Sequence, residues 1–440
     1  MKKIFLLISL LLIMNQSNLP QPKTDSDSTL VQGTLKNCIQ YALEHQPILK
    51  QSLLDESIAN QTIKSKLADW FPQLNFNFNI QHNYLLSTSI SQGNPIKIGL
   101  YNNSIGMFSL TQTIFNRDVL LAASTASLVR EQTNQITASK KIDVVVNVSK
   151  AFYSVLSIQE QNKLLDEDIL RLSQSLQDAV NQYKSGIVDK TDYEKATIAL
   201  NIAKTEKKQN LELLKAKYSL LKFEMGYPAK SNLEIKSDSL RMVQNIYIDT
   251  TQSLNYENRI EYKLVQTQHN LQKANLRYYI WSFLPTVTAY GEYNFNYQNN
   301  SIPNLYNKNY PNSYIGLELS LPIFQGGKRI QDIDQAELEL KRSNYDIINL
   351  KNSINSDYVQ ALAEYKSNWY NYVSLKDNLK LARDVYNTVE LQYNSGIKTY
   401  LDVISAETDL RTTEVNLINA IYQLLSSKLD LQKALGTIQF

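Results

Sequence analysis

The chain has 440 residues and a formal net charge of +3, and no dense Lys/Arg run marks a phosphate-binding stripe. We therefore expect no nucleic-acid partner. Glycine (12 residues) and proline (10 residues) are both scarce. Because these residues are the strongest helix breakers, their scarcity favours long helices with few loops. The single cysteine, Cys38, excludes an intrachain disulfide and is interpreted as a buried free thiol.

The N-terminus carries an export signal. Two lysines precede an apolar run from Ile4 to Met14, and a polar stretch follows. This pattern predicts a secretory signal peptide over residues 1–18, although no A-x-A pattern fixes the cleavage site. The run is too short to span a bilayer, and no other apolar stretch approaches the ~20 residues that a transmembrane helix needs. We therefore predict an exported protein without transmembrane helices.

The rest of the chain contains two copies of one unit. Residues 182–196 (QYKSGIVDKTDYEKA) recur as 392–406 (QYNSGIKTYLDVISA), an offset of 210 residues. Upstream, residues 68–80 (ADWFPQLNFNFNI) resemble 279–291 (YIWSFLPTVTAYG). Because turns and strands recur in the same order, we predict an internal duplication. The first repeat covers 30–226, an equatorial linker covers 227–250, and the second repeat covers 251–436.

Each repeat is dominated by helices. Apolar residues at heptad spacing predict coiled-coil pairing. Each long helix is predicted to end at a glycine in the left-handed conformation, Gly186 in one repeat and Gly396 in the other. One opening and one return helix are expected to stack end to end against each long helix. The predicted opening, long and return helices cover 35–69, 117–185 and 189–225 in the first repeat, and 252–283, 327–395 and 399–435 in the second.

Between the opening and long helices lies a pair of strands. Residues 73–81, QLNFNFNIQ, alternate apolar and amide side chains with the period of a strand. The predicted strands cover 73–84, 100–114, 286–297 and 313–323, and their connections, 85–99 and 298–312, are expected to be external loops.

These strands are predicted to cross a membrane. Each is near the ~9–11 residues that a tilted transmembrane strand needs. The long helices lead away from the strands, so lipid is the expected cover for their apolar face. Because four strands cannot close a barrel and open edges are not tolerated in lipid, several chains must share one barrel. Three chains would supply twelve strands.

Four aromatic residues lie where helix becomes strand: Trp70, Phe71, Trp281 and Phe283. This is the place for an aromatic girdle at a membrane surface. The alternative is that these side chains are ordinary core aromatics.

The signal peptide, the duplicated strand–helix units, the QYxSGI turns and the ALGT at 434–437 together resemble the outer-membrane efflux protein (TolC) family. The resemblance covers essentially the whole mature chain. It implies a mostly α fold with membrane β structure, in which a homotrimeric twelve-stranded β-barrel continues into a long periplasmic α-helical barrel. Such a protein lies in outer-membrane lipid and extends into the periplasm.

The function implied by this resemblance is that of a passive exit duct in a tripartite efflux or type I secretion system. The implied partners are a periplasmic adaptor (membrane fusion) protein and an inner-membrane pump of the RND or ABC type.

The resemblance also implies roles for five residues near the turns. Asp402 matches a family aspartate that forms a ring around the pore constriction. Some members have a second carboxylate ring one turn further on, and this ring is missing here because its position is Ser405. Three converging carboxylates would raise one another's pKa and attract cations. Tyr393 and Lys398 match positions that help to hold the tip shut through polar links, with Asp192 as their expected partner.

A capping role is the alternative for both aspartates. Thr399 precedes Asp402 by three residues, and Asp189 precedes Asp192 in the same way. This spacing is that of a capping box, in which a first-turn carboxylate also favours the helix dipole. The two roles can coexist.

Two other function classes have less support in the sequence. His45, His82 and His269 show no metal-ligand spacing, and the sequence has no G-x-x-x-x-G-K-[ST] or G-x-S-x-G motif. We therefore predict no metal site, no cofactor and no enzymatic activity. A trimeric coiled-coil structural or adhesive envelope protein without transport activity would share the export signal and the heptads. It would not predict strands inside each repeat.

Overall fold

The structure is a computed structural model that describes residues 33–236 and 246–439. The predicted signal peptide and residues 237–245 of the predicted linker lie outside the described residues.

The two halves of the described chain share a core order of opening helix, strand, strand, long helix and return helix, and the first half has one additional helix at its start and one additional hairpin between its two main strands. The first contains α1 (Leu35–His45), α2 (Pro47–Ala68), β1 (Gln73–His82), β2 (Ser87–Ser91), β3 (Asn94–Ile98), β4 (Asn102–Phe115), α3 (Arg117–Lys184) and α4 (Lys190–Met225). The second contains α5 (Ile260–Ile280), β5 (Thr286–Asn299), β6 (Asn312–Ser320), α6 (Lys328–Asn394) and α7 (Tyr400–Leu435), with 3₁₀ segments at Tyr256–Asn258, Trp281–Phe283 and Ile302–Asn307.

Both opening helices differ from the sequence prediction. The stretch 35–69 is two helices, because Pro47 lacks a backbone N–H and restricts the residue before it. Gln46 accordingly has an extended backbone, and α2 begins at Pro47. In the second half the continuous helix begins only at Ile260, after a short 3₁₀ turn and an extended Arg259.

The predicted external loop 85–99 is also different, because it contains a hairpin. Strands β2 and β3 pair from Ser87–Ile98 to Ser91–Asn94. Gln92 and Gly93 between them both have positive φ, of 49° and 83°. Positive φ at both central residues is what a two-residue hairpin turn of the primed type requires.

The other four strands form one antiparallel sheet in the order β1-β4-β5-β6. The register of β1 with β4 runs without a break from Gln73–Thr111 to His82–Asn102. Strands β1 and β6 lie at the two edges of this sheet.

The long helices form two coils, which we call the first coil (α3 with α4) and the second coil (α6 with α7). Helix α3 also contacts α7, and this contact joins the coils. At the strand end, α2 packs on α3 and α5 packs on α6. With 68 residues, α3 is about 100 Å long at 1.5 Å per residue.

The main hydrophobic core lies at the middle of this assembly. It joins Phe152 and Leu156 of α3 to Leu424 and Leu431 of α7, all fully buried. Cys38 of α1 belongs to the same cluster, and burial raises the pKa of its thiol to about 12. The interpretation of Cys38 as a buried free thiol is confirmed.

Each return helix ends against the start of an opening helix. Helix α4 ends at Gly226, where Gln46 Nε2 donates to the carbonyls of Phe223 (3.0 Å) and Glu224 (2.8 Å). Helix α7 ends at Gly436, where Arg259 Nη1 donates to the carbonyl of Ala434 at 3.1 Å. These side chains satisfy last-turn carbonyls that a helix leaves without partners. The opening and return helices are thereby stacked end to end.

Candidate functional site

The two turns far from the sheet have the same geometry. Gly186 and Gly396 adopt left-handed conformations, with φ of 73° and 75°. The N–H of Ile187 donates to the carbonyl of Gln182, and that of Ile397 donates to Gln392, both at 2.9 Å. This is the Schellman arrangement, which turns the chain within a few residues. The turns bring residues 182–202 and 392–407 to one end of the molecule.

The predicted tip links have different partners within the single chain. Tyr393 donates its hydroxyl hydrogen to Gln182 Oε1 at 3.0 Å. Lys398 Nζ lies 3.7 Å from Asp402 Oδ1. Asp192 lies in the first turn of α4 and acts on Tyr393 only through its charge, which adds to the effect of burial in raising the pKa of that phenol. The links to Asp192 stay a prediction.

Asp402 forms a complete capping box at the start of α7. Its Oδ2 accepts from the Thr399 backbone N–H (2.9 Å) and hydroxyl (2.8 Å), and its own N–H donates to Thr399 Oγ1 at 3.4 Å. Hydrogen bonds from Thr399, assisted by the charge of Lys398, lower the pKa of the Asp402 carboxyl. This shift is opposite to the one that a carboxylate ring predicts. The ring needs several copies and stays a prediction, as does the role of Ser405, which is exposed.

The matching cap predicted for α4 is incomplete. Asp189 stands at the N-cap of α4 with an extended backbone, but its side chain makes no capping hydrogen bond. Only its carbonyl accepts, from the Asp192 N–H at 3.1 Å. The resemblance of Asp189 and Asp192 to a capping box is therefore wrong in its side-chain part.

Sequence reasoning missed a charge layer, made of the buried carboxylates Asp168 on α3 and Glu407 on α7 and the partly buried Arg171 on α3. Asp168 is 1% exposed and accepts a hydrogen bond from Arg171 Nη2. Arg171 Nε lies 3.6 Å from Glu407 Oε1, beyond hydrogen-bonding distance. Both carboxylates line a cavity of about 350 Å³ whose other walls are mostly apolar side chains of α3, α4 and α7. No heptad pattern could have shown this layer, because Glu407 lies in the other repeat, far in sequence from Asp168 and Arg171.

The surroundings of the charge layer disfavour the ionised form of both carboxylates. Burial raises the pKa of Asp168 to about 6, although the charges of Arg171 and Arg411 oppose that shift. Burial likewise raises the pKa of Glu407, again opposed by Arg171. The cause is desolvation, which disfavours the charged form.

We expect the protein to become more stable as the pH falls from about 7.5 to about 5. The folded-state pKa of Asp168 lies above its ordinary value of 3.8, so the folded chain binds more protons than the unfolded chain. The stabilisation is complete below 3.8 and is lost as the pH rises through about 6. Between about pH 7.5 and about pH 5 the gain is about 1.4 kcal/mol per chain, at 1.36 kcal/mol for each pH unit below the folded-state pKa.

Thermal unfolding of the purified protein across this pH range measures the effect. Asp168→Asn should flatten the pH dependence, whereas Asp166→Asn, at a more exposed carboxylate on the same helix, should leave it unchanged. Equal pH slopes for wild type and Asp168→Asn would contradict the assignment.

The sheet has one apolar and one polar face across all four strands. On the apolar face, Phe76 of β1 pairs with Phe108 of β4, and Phe108 pairs with Tyr293 of β5. Two residues along β5, on the same face, Gly291 pairs with Ile315 of β6. The other face pairs Asn75 with Ser109, Ser109 with Glu292 and Glu292 with Tyr314. Large apolar side chains on the first face are exposed in the single chain: Leu74, Phe76, Phe78, Ile80, Phe108, Leu110, Tyr293, Ile315, Leu317 and Leu319.

The four junction aromatics lie at the helix ends of the sheet. Trp70 and Phe71 fall between α2 and β1, and both are exposed. Trp281 and Phe283 form the ends of a 3₁₀ turn after α5, and the Arg329 guanidinium lies 5.2 Å from the centre of the Phe283 ring. Their position at a membrane surface stays a prediction.

Within residues 33–236 and 246–439, no helix combines the length and apolarity needed to cross a membrane. The same part of the chain contains no group of three or more His, Cys, Asp and Glu side chains that could hold a metal ion.

Comparisons with known proteins all place this chain in the same class of proteins. The family model described as "Outer membrane efflux protein" matches residues 38–222 and 261–437. The outer membrane protein TolC of Salmonella enteritidis is 23% identical over 449 residues, covering 93% of this chain and 84% of the relative. The alkaline protease secretion protein AprF of Pseudomonas aeruginosa is 19% identical, covering 88% of this chain and 81% of the relative.

A solved structure shares the fold. The crystal structure of the outer membrane protein VceC from Vibrio cholerae superposes with a TM-score of 0.74 at 15% identity, covering 91% of this chain and 96% of that one. Long paired helices joined to an amphipathic sheet, together with these matches, define an outer-membrane exit duct of efflux or secretion systems. The chain belongs to the outer membrane efflux protein family, which is a family of channels.

Proposed function

We propose that three copies of this chain close a single twelve-stranded barrel in the outer membrane, continuous with a periplasmic tunnel built from the two coils. The duct passively conducts substrates that a periplasmic adaptor and an inner-membrane pump of the RND or ABC type deliver to it. The residues at the turns form the periplasmic constriction.

The observation that carries this proposal is the shared apolar face of a sheet with two open edges. In lipid every backbone polar group must be paired, so a sheet with free edges cannot stand alone there. Pairing β6 of one copy with β1 of the next removes both edges, and it keeps the apolar face of every copy on the outside. The polar face, with Asn75 and Asn77 on β1, then lines water.

The strand lengths agree with this arrangement. The four strands have 10, 14, 14 and 9 residues, close to or above the ~9–11 that a tilted transmembrane strand needs.

A structural or adhesive coiled coil would not need an exposed apolar sheet between its helices. No observation favours that alternative.

Two measurements on detergent-purified protein test the proposal. The mass of the complex should equal three chains, and the complex should pass ions in a planar lipid bilayer. A monomer that dissolves without detergent would overturn the proposal, and a trimer that passes no ions would favour the structural alternative.

We further expect Asp402→Asn to reduce the preference of the channel for cations several-fold, because it removes three carboxylates from the constriction. The ion selectivity of single channels measures this effect. The matched control is Asp346→Asn, at an exposed aspartate of α6 far from the turns. Unchanged selectivity in Asp402→Asn would leave Asp402 with its capping role alone.

A further inference from the structure

A pocket of about 170 Å³ lies where the sheet meets the helices, at the other end of the molecule from the turns. Water occupies about 30 Å³ per molecule in the liquid, so the pocket has room for several waters or for one tetrahedral oxyanion. Its walls include Arg117, Ser282, Thr286, Ser320 and Arg329. Among the described residues that line it, none is acidic. The pocket therefore combines hydrogen-bond donors with positive charge.

The two arginines of this pocket come from the starts of α3 and α6, and both are partly buried. The Arg117 guanidinium lies 4.3 Å from the centre of the Tyr278 ring, and Arg329 Nε donates to Gln325 Oε1 at 3.1 Å. In the described part of the chain, neither arginine forms an ion pair. The carboxylate next to Arg117, that of Asp118, accepts instead from the Tyr278 hydroxyl at 2.6 Å. Both positive charges are thus left without a counterion.

Two polar atoms of the pocket have no hydrogen-bond partner. Across residues 33–236 and 246–439, Ser282 Oγ and Arg329 Nη2 are among the buried side-chain atoms that lack one. A buried donor without an acceptor costs free energy, and such atoms are uncommon in folded proteins. A guanidinium also presents its donors as a fork that matches the oxygens of a phosphate group. A ligand with several acceptor oxygens would satisfy both atoms.

The start of α6 adds to the preference for an anion. Its N-cap residue, Gly327, supplies no side-chain cap, and its first turn contains no acidic residue. The first carboxylate along α6, that of Asp332, lies 3.6 Å from Lys328 Nζ. By contrast, Asn116 caps α3 through its side chain. Because the N-terminal N–H groups and the dipole of a helix favour negative charge, the uncapped start of α6 reinforces the two arginines.

The sheet residues of the pocket indicate which side of the sheet it belongs to. Thr286 pairs with Ser320 across β5 and β6. Thr286 shares its face of β5 with Glu292, which pairs with Tyr314 on the polar face described above. In the proposed barrel this face is turned toward water, so we place the pocket on the water side.

We propose that this pocket binds a phosphate-type oxyanion, either inorganic phosphate or a phosphate ester. Arg117 and Arg329 balance its charge, and Ser282 Oγ and Arg329 Nη2 donate to its oxygens. All of these groups belong to one chain, so the site does not depend on the number of copies. Only its placement on the water side rests on the proposed function, and in the ring three such sites would surround the passage between tunnel and barrel.

Equilibrium dialysis of the detergent-purified protein against radiolabelled inorganic phosphate, at constant pH and ionic strength, tests the proposal. The wild type should bind one phosphate per chain. Arg329→Gln should weaken the affinity about tenfold or more, because it removes a charge-assisted hydrogen bond. Arg329→Lys keeps the charge without the fork and should fall between the two. Ser282→Ala keeps both arginines and should weaken the affinity roughly two- to fivefold.

The matched control is Arg342→Gln, which removes an exposed arginine from the same helix and should bind as the wild type does. Binding that does not saturate, or an equal loss in Arg342→Gln, would reduce the site to a general positive potential and overturn the proposal. Wild-type affinity in both Ser282→Ala and Arg329→Lys would overturn it as well, even where Arg329→Gln fails to assemble.

The same dialysis with added phosphatidylglycerol separates the two sources of a phosphate group. A site on the water side should keep its bound phosphate in the presence of the lipid. Competition by the lipid would overturn that placement and assign the site to a lipid headgroup. A purified protein that is not trimeric or passes no ions counts against the proposed function alone, because the dialysis counts phosphate per chain.

Discussion

Arginine in place of Phe78 should prevent assembly in the outer membrane, whereas arginine at its neighbour Asn77 should be tolerated. The two residues are adjacent on β1, and both are exposed in the single chain, but they lie on opposite faces of the sheet. On the lipid side of a barrel, arginine costs about 2–4 kcal/mol near the bilayer midplane. Each copy in a ring carries this cost, so the effect on the complex is several times larger.

The amount of detergent-resistant complex in the outer-membrane fraction measures this difference. Phe78→Arg should yield little or none, and Asn77→Arg should approach the wild-type amount. Equal loss in both variants would indicate that β1 tolerates no charge on either face, and the assignment of lipid and water sides would fail. Wild-type amounts of complex in both variants would also contradict the assignment, because they would place Phe78 away from lipid.

The second large effect is expected at the glycines that end the return helices. A Cβ at Gly436 would lie 2.6 Å from the carbonyl oxygen of Asn258, and a Cβ at Gly226 would lie 2.9 Å from Cα of Gln46. Both glycines also have positive φ, of 70° and 66°. Alanine there combines left-handed backbone strain of about 1–2 kcal/mol with a backbone clash of about 1–3 kcal/mol.

Gly396 supplies the matched control. It has the same left-handed conformation, with φ of 75°, but a Cβ added to it would meet no atom within 4 Å. Gly396→Ala should therefore show the strain alone. In thermal unfolding followed by the circular dichroism of the helices, Gly436→Ala should have a much lower unfolding temperature than Gly396→Ala. If the two variants unfold at the same temperature, the end-to-end contact of α7 with the segment before α5 does not contribute to stability.

The elements that local chemistry determines were predictable from the sequence. The long helix α3 begins at Arg117 and ends at Lys184, just before Ser185 and Gly186, because a glycine in the left-handed conformation ends a helix. Alternation assigned the faces of β1, and the observed register extends the same faces over four strands. The β2–β3 hairpin was missed because its strands have only five residues each, β2 is mostly polar, and β3 contains a proline.

Contacts between residues that are distant in the sequence were not predictable. Asp168 and Glu407 belong to different repeats, and only the packing of α3 on α7 brings them to one cavity. Likewise, the fold places Gln182 within reach of the Tyr393 hydroxyl, a contact within one chain that the family resemblance did not suggest. Sequence spacing reports which residues share a helix face, but it does not report which faces meet.

The order of the sheet has a consequence for ring size. Because neighbouring strands alternate in direction, β1 and β6 run in opposite senses at the two edges. Every seam between copies is then antiparallel, whatever the number of copies, so backbone pairing alone does not count subunits. In the proposed ring, the number of copies must therefore be set by contacts other than backbone pairing. The angle at which the coils of neighbouring copies pack is one such contact, and it would limit the width of the pore in the membrane.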